Sequence, residues 1–266
     1  MIAWTLLIAA VAGGACLPRF GVAIADLANR HMIEDARDVL GLDPGDVAGH
    51  EVGAPHEVTL DRVRGESWGL AQTVSWVAIS LMAALLLVGA APPHAGWVWL
   101  AGAILVLFVL LTLSGSDAAR RMIPDAVMMP AIVAAVMYNA WFHSEPWMTY
   151  RISLAACVGT YALMEVMSII GGLFGEPAGG GDSKLMAFVA AWVGFLPAML
   201  MIGLAIAIAL VHVKLRRALY RSGRQSGLSA RPPQASGFPV APYLFVSFFV
   251  IHYMLTVGGA HAAIFQ

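Results

Sequence analysis

Long apolar segments separated by short polar ones dominate the pattern of this chain. Because a helix needs about 20 apolar residues to cross a bilayer, these segments predict membrane-spanning helices. The first is expected to continue as an interfacial helix to about Asn29. The predicted fold is therefore an all-α, polytopic membrane bundle. The apolar segments lie near residues 1–18, 70–91, 97–114, 126–142, 151–173, 184–213 and 241–260.

The segment 184–213 is too long for a single span, because its 30 residues exceed what a bilayer requires. It contains Gly194-Phe195-Leu196-Pro197, a natural break, since proline cannot continue the helical hydrogen-bond ladder. Splitting it into 184–195 and 197–213 gives about eight membrane segments. The shorter piece cannot span alone, so it must be buried by protein or border water. Both conditions suit the wall of an active site.

The distribution of basic residues predicts the orientation of these segments. With the split, 14 of the 15 lysines and arginines fall on one side, and Arg151 is the exception. Loops rich in lysine and arginine stay in the cytoplasm. The prediction is a multi-pass membrane protein with both termini outside and with Asp117 and Asp182 on the cytoplasmic side.

Charge and composition divide the chain into three regions. Only 12% of the residues are charged, about half the fraction in soluble domains. Residues 26–69 hold ten of the sixteen acids, so they predict an acidic cytoplasmic loop and no nucleic-acid partner. Residues 1–25 form the first span, and 70–266 form the membrane core with a basic cytoplasmic loop at 214–240. The lipid bilayer is the expected surrounding, and nothing in the pattern specifies an oligomeric state.

The residue types that bind metals or form disulfides are sparse. Cys16 and Cys157 both lie in apolar segments, so neither a disulfide nor a cysteine-based zinc site is expected. His31, His50 and His56 share the acidic loop, but their spacing is irregular and a fourth ligand is missing. The prediction is that the protein has no metal site.

Two aspartates at the ends of apolar segments carry the strongest functional signal. Asp117 follows the segment 97–114, and Asp182 precedes the segment 184–195. An ionisable residue at such a place is a functional candidate by default. Two carboxyls about 3 Å apart share one proton, as in aspartic proteases. One then activates a water while the other polarises the scissile carbonyl. Asp117 and Asp182 are therefore predicted to form a catalytic pair.

Several neighbours are candidates for supporting or substrate-binding roles. The glycines before Asp182 allow close backbone approach or positive φ, and Lys184 would bias the proton position or extend towards headgroups. Alternative interpretations remain for each motif: a turn with a helix N-cap aspartate, a loop aspartate paired with an arginine, and an ordinary helix start. Glu165, within 151–173, is either a proton-relay residue or a neutral acid between helices. The supporting candidates are Gly179, Gly180, Gly181, Lys184, Glu176, Arg121 and Pro124.

The combined motifs resemble those of the type IV prepilin peptidases, which are polytopic GxGD aspartic proteases. Asp117 precedes Pro124 of an Ile-Pro-Asp triplet by seven residues, and a Gly-x-Gly-Asp-x-Lys motif follows at 179–184. The resemblance covers roughly residues 115–260. It continues in Glu176, Leu185, Ala191-Trp192-Val193-Gly194, Leu196-Pro197 and Pro242-Tyr243.

The resemblance implies a membrane aspartic endopeptidase with Asp117 and Asp182 as its catalytic pair. Its substrates would be type IV prepilin or pseudopilin precursors, whose leader peptides are cut at the cytoplasmic face of the bacterial plasma membrane. Many family members carry two Cys-x-x-Cys pairs in the first cytoplasmic loop, whereas residues 26–69 contain no cysteine. A Tad/Flp-like or otherwise divergent member is therefore the better analogue. No cofactor is expected, and S-adenosylmethionine would be needed only if N-methyltransferase activity were retained.

Three other functions use the same residues differently. A proton-coupled transporter or channel would use the carboxylates as a relay, but it predicts more acids across the bilayer than Glu165. A GxGD protease of the presenilin or signal-peptide-peptidase type predicts Tyr-Asp and Pro-Ala-Leu contexts that are absent from the corresponding places. A catalytically silent assembly factor would not require both aspartates.

Overall fold

The computed structural model describes residues 2–40, 70–91, 96–120, 122–142, 146–173, 180–221 and 239–257. These residues form eight helices and no strand. The all-α fold predicted from the sequence is therefore confirmed. The helices are α1 (Ile2–Leu40), α2 (Leu70–Gly89), α3 (Trp97–Arg120), α4 (Asp125–Phe142), α5 (Pro146–Leu173), α6 (Gly180–Val193), α7 (Phe195–Arg221) and α8 (Ala241–Val257).

Most of these helices have the length and composition of membrane spans. Five are long and apolar enough to cross a bilayer, namely α1, α2, α3, α5 and α7, and α4 and α8 are shorter apolar helices. Large apolar side chains such as Trp4, Val133 and Ile169 are more than 60% exposed, as expected where helices face lipid. The chain is a multi-pass helical membrane protein.

The bundle consists of two groups of helices. In one group α1 packs against α2 and α3, and α8 packs against α2 and α3. In the other, α6 packs against α4, α5 and α7. The groups meet where α3 contacts α4 and where α8 contacts α7 and α6. Asp117 belongs to the first group and Asp182 to the second.

Helices α1 and α3 run parallel and in close contact because small residues line their interface. A Cβ atom at Gly21 would lie 1.9 Å from the carbonyl oxygen of Thr112, and one at Gly115 would lie 2.3 Å from Pro18. Only glycine allows backbones to approach so closely. Helix α1 continues to Leu40, beyond the predicted limit near Asn29, since residues 22–40 contain neither glycine nor proline.

The long apolar segment is interrupted at Gly194, where φ is 86°. This left-handed conformation is accessible to glycine and disfavoured for other residues. Helix α6 therefore ends at Val193, and α7 starts anew at Phe195. The predicted split is confirmed, but the break lies at Gly194, and Pro197 lies inside the first turn of α7, where proline is tolerated.

The short helix α6 has its carboxyl end stabilised by neighbouring side chains. Its 14 residues span about 21 Å, less than the roughly 30 Å of the hydrocarbon core. Its last carbonyls therefore need partners inside the bundle. Asn139 of α4 and Ser153 of α5 each donate a hydrogen bond of 2.6 Å to the carbonyl of Ala191. This is the far end of the bundle.

The opposite end gathers several polar side chains. The carboxyl end of α3 lies there with the amino ends of α4, α6 and α8, as shown by contacts of Asp117 with Ala241 and of Lys184 with Asp125. We call this the aspartate end. The candidate site lies at this end.

Candidate active site

Asp117 is a buried residue near the carboxyl end of α3. It is 5% exposed, and its Oδ2 accepts a hydrogen bond of 2.7 Å from the backbone N–H of Ala241. Ala241 is the first residue of α8, so this N–H has no partner within its own helix. A helix amino end favours negative charge. Asp117 thus caps α8 from a different helix, and it is not the loop residue of the alternative interpretation.

Asp182 lies in the first turn of α6 and is half-buried. The amino end of α6 supplies the same favourable electrostatic environment for a carboxylate as that of α8 does for Asp117. The residue after it, Ser183, is fully buried, and so is most of the helix that follows. Asp182 therefore lies where a buried helix emerges from the core.

The segment Met122–Pro124 connects the surroundings of the two aspartates. Ser116, next to Asp117, donates a hydrogen bond to the carbonyl of Met122. On the other side, a Cβ atom at Gly181 would lie 3.0 Å from the Cβ of Ile123. Each aspartate is thus adjacent to a residue that contacts the same short segment. The sequence predicted glycine here for close approach or positive φ, and the structure uses Gly181 for close approach to Ile123.

Lys184 forms an ion pair with Asp125 of α4. Its Nζ lies 2.7 Å from both carboxylate oxygens, and the two side chains are 27% and 62% exposed. Such a partly exposed pair contributes about 1 kcal/mol or less. The pair joins the first turn of α6 to the first turn of α4, so it positions the helix that carries Asp182.

Arg120 pairs with Asp26, and not with Asp117. Its Nε lies 2.6 Å from Oδ1 and its Nη2 lies 3.2 Å from Oδ2 of that carboxylate. This contact fastens the carboxyl end of α3 to α1.

The other sequence-predicted candidates divide into described and undescribed residues. Pro124 is buried, and its carbonyl accepts hydrogen bonds from Val127 and Met128, so it caps α4. Gly180 opens α6. Gly179, Glu176 and Arg121 lie outside the described residues, and their roles stay predictions.

Three features of the site were not predicted from the sequence. The N–H of Ala241 is a backbone group, which no residue pattern reveals. His212 and Tyr243, whose side chains are hydrogen-bonded, are separated by 31 positions along the chain, and no residue pattern predicts their contact. The hydroxyls of Ser114 and Ser183 are buried without a hydrogen-bond partner in the described part of the chain. In the sequence, these two serines could have been singled out only because each lies within three positions of one of the two aspartates.

The titratable residues of the described segments do not gather as a metal site. No group of three or more histidine, cysteine, aspartate or glutamate side chains is close enough there to hold a metal ion. Cys157 is buried, whereas Cys16 is exposed, and both thiols are free. His31, His50 and His56 lie outside the described side chains.

The arrangement is suited to reactions that need carboxylates beside a backbone. Two aspartates from different helices lie at one end of the bundle, each at a helix amino end. Asp117 is buried, whereas Asp182 is half-buried and therefore partly accessible from outside the bundle. Such a pair is suited to proton transfer and water activation.

Comparisons with known proteins indicate one family. Residues 104–213 match the type IV leader peptidase family. The chain is 29% identical over 171 residues to a prepilin leader peptidase/N-methyltransferase of Stutzerimonas stutzeri, covering 61% of this chain and 53% of the relative. It is 31% identical over 97 residues to a protein of the same name from Klebsiella pneumoniae, covering 36% of this chain and 42% of the relative.

These matches confirm the family resemblance found in the motifs, and the matched region contains both Asp117 and Asp182. The chain spans about half the length of the curated relatives that it matches. No solved structure shows a significant match to it.

Proposed function

Because residues 104–213 match the type IV leader peptidase family, we propose that this protein is a membrane aspartic endopeptidase. Its substrates are the leader peptides of type IV prepilin or pseudopilin precursors. The observation that carries the proposal is the hydrogen bond from the amino end of α8 to the buried Asp117, at the same end of the bundle as Asp182. A carboxylate held in this way is oriented before any substrate binds.

In this mechanism Asp117 and Asp182 share one proton. The ionised carboxylate accepts a proton from a water, which attacks the scissile carbonyl, while the protonated partner polarises that carbonyl. The proton then passes to the leaving amine. The helix amino ends beside each aspartate favour negative charge there, so no metal is required for these steps.

The cleavage takes place at the cytoplasmic face. In support, the aspartate end carries Arg120 and Lys184, and α7 leads from the far end to Lys214 and the basic loop beyond it. Arg151, the exception among the bases, lies near the start of α5, away from the aspartates. Positive charge at the aspartate end favours a cytoplasmic location.

A methyltransferase activity is not part of this proposal. The relatives are named for both activities, but the segment 26–69 contains no cysteine, and its residues 41–69 lie outside the described part. Assaying the purified protein with radiolabelled S-adenosylmethionine and a cleaved pilin tests this directly. We expect cleavage without transfer of a methyl group.

The experiment that tests the proposed function is leader cleavage of a co-expressed prepilin in bacterial membranes. Wild-type protein is compared with Asp117→Asn and Asp182→Asn, and Asp26→Asn is the matched control. Asp26 lies at the same end but pairs with Arg120. We expect loss of cleavage in the first two variants at unchanged protein level, and retention in the control. Cleavage by either of the first two would contradict the proposal.

A further inference from the structure

The amino end of α8 has a second polar contact besides the one to Asp117. Nδ1 of His212, near the carboxyl end of α7, is hydrogen-bonded to the hydroxyl of Tyr243 in the first turn of α8. The two rings also meet edge to face with their centroids 5.7 Å apart. One side chain of α7 therefore holds the turn whose backbone N–H binds the carboxylate of Asp117.

The position of this contact along the chain explains why it matters. Helix α8 starts at Ala241, directly after the long linker, and residues 222–238 of that linker lie outside the described part. The first residue of a helix has no helical turn before it to fix its orientation. The contact between residues 212 and 243 joins α7 to the first turn of α8 and restrains that turn.

We propose that His212 and Tyr243 are a positioning pair that keeps the Ala241 N–H directed at Asp117. This inference rests on the proposed function, because it concerns the orientation of one of its two carboxylates. Neither side chain contacts the reacting atoms. The pair acts through the backbone of α8, and a carboxylate that loses the hydrogen bond from Ala241 is held less closely to the productive geometry.

The atoms of the contact provide a selective rescue test. The hydrogen bond involves Nδ1 of His212, which is bonded to the γ carbon. In asparagine a polar atom occupies nearly the same δ position, whereas the polar atoms of glutamine lie one bond further out. His212→Asn should therefore keep the contact, and His212→Gln should not. If His212 acted only by packing, His212→Gln would be expected to retain more activity than His212→Asn, because glutamine is closer in length to histidine.

The experiment measures kcat and KM for prepilin cleavage by the purified full-length protein in detergent. We expect His212→Ala, His212→Gln and Tyr243→Phe each to lower kcat about tenfold, since a small misplacement costs up to about a hundredfold, with KM within about twofold. His212→Asn should recover most of the loss. The double variant His212→Ala/Tyr243→Phe should be no slower than either single one, because the pair acts as a unit.

Two controls come from the other end of the same helix. Tyr253→Phe removes a tyrosine hydroxyl ten positions away, and His252→Ala removes a half-buried ring that stacks on Phe248. Both should leave kcat unchanged, even if His252→Ala lowers the unfolding temperature. A fall in kcat that follows the loss of stability across all variants would overturn the positioning role.

The outcomes separate this inference from the proposed function. If wild type cuts prepilin, the aspartate variants do not, and His212→Ala retains its kcat, the positioning pair is refuted while the peptidase stands. If His212→Gln recovers as well as His212→Asn, the pair is refuted too. If wild type cuts no prepilin, the proposed function and the inference that rests on it both fail.

Discussion

The two ends of the bundle solve the same structural problem with different chemistry. At the far end, neutral side chains of Asn139 and Ser153 donate hydrogen bonds to the carbonyl of Ala191, which closes the carboxyl end of α6. At the aspartate end, the carboxyl of Asp117 accepts a hydrogen bond from the N–H of Ala241, which closes the amino end of α8. In both places a side chain from another helix satisfies a backbone group that water would otherwise serve.

This comparison shows which property of Asp117 helix capping explains and which property it does not. Asparagine and serine cap helix amino ends about as well as aspartate does. An ionisable group in a membrane protein is more expensive than a neutral one. Capping therefore accounts for an acceptor at position 117 and not for a carboxyl. At the far end the carbonyl needs donors, which a carboxylate cannot supply, so this question arises only for Asp117. The proton transfer of the proposed function would account for its carboxyl.

The largest expected effect comes from separating these two properties of Asp117. Asp117→Asn keeps an acceptor for the Ala241 N–H but cannot hold or release the proton, and Asp117→Ala loses both. We expect both variants to lose cleavage by about 100- to 10,000-fold. Only Asp117→Ala should also lower the unfolding free energy, by about 1 kcal/mol, as measured by SDS titration. If Asp117→Asn and Asp117→Ala lowered the unfolding free energy equally, the proposed separation of the capping role of Asp117 from its role in proton transfer would be wrong.

The far end should show the opposite pattern, a loss of stability without a loss of activity. Because both donors serve the carbonyl of Ala191, either single change, Asn139→Ala or Ser153→Ala, leaves one bond to it in place. Asn139→Ala also removes a 3.2 Å hydrogen bond to the carbonyl of Trp192. The double variant leaves the carbonyl unpaired and should lower the unfolding free energy by about 1–3 kcal/mol. Its loss should exceed the sum of the single losses.

The control for this experiment is the cleavage rate of the folded fraction, which should match wild type in all three variants. If the folded fraction of the double variant cleaves prepilin more slowly than folded wild type, the far end takes part in the chemistry.

A smaller effect is expected where α6 approaches the segment Met122–Pro124. In Gly181→Ala the new methyl group would lie 3.0 Å from the Cβ of Ile123, so the segment must shift. We expect a loss of about 1 kcal/mol and slower cleavage. Gly203→Ala in α7 is the control, because a Cβ there has no atom within 4 Å. It should be neutral or slightly stabilising. Similar behaviour of both variants would argue against the close contact.

The smallest effect should come from the ion pair of Lys184 and Asp125. Its partly exposed side chains predict a coupling energy of about 0.5 kcal/mol. A double-mutant cycle of Lys184→Gln and Asp125→Asn by SDS titration measures it. A coupling of several kcal/mol would mean that the pair is desolvated in the membrane-bound protein.

The helical fold was predictable because it follows from the lengths of the apolar segments. The break at Gly194 was predictable to within a few residues, since Gly194 and Pro197 lie close together and either interrupts a span. The extent of α1 was underestimated. Apolar periodicity ends near Ala28, yet a polar stretch without glycine or proline continues as a helix to Leu40.

The site was predictable as residue types and only partly as contacts. Asp117 and Asp182 are found from their isolation among apolar residues. The partner of Asp117 is a backbone N–H, and Lys184 reaches Asp125 across 59 positions. Sequence reasoning instead directed Lys184 to the catalytic proton or to headgroups. Contacts of this kind depend on how the helices pack against each other, and the residue pattern of one sequence does not predict that packing.

The most direct test of the central claim is whether Asp117 and Asp182 act as one unit. Cleavage of a purified prepilin is measured with enzyme in excess over substrate for Asp117→Asn, Asp182→Asn and the double variant. Residues that act together are strongly non-additive. We predict that each single variant is slower by about 100- to 10,000-fold and that the double variant is no slower than the slower single one. A double variant whose loss equals the product of the single losses, or a single variant that cuts at the wild-type rate, would contradict the account.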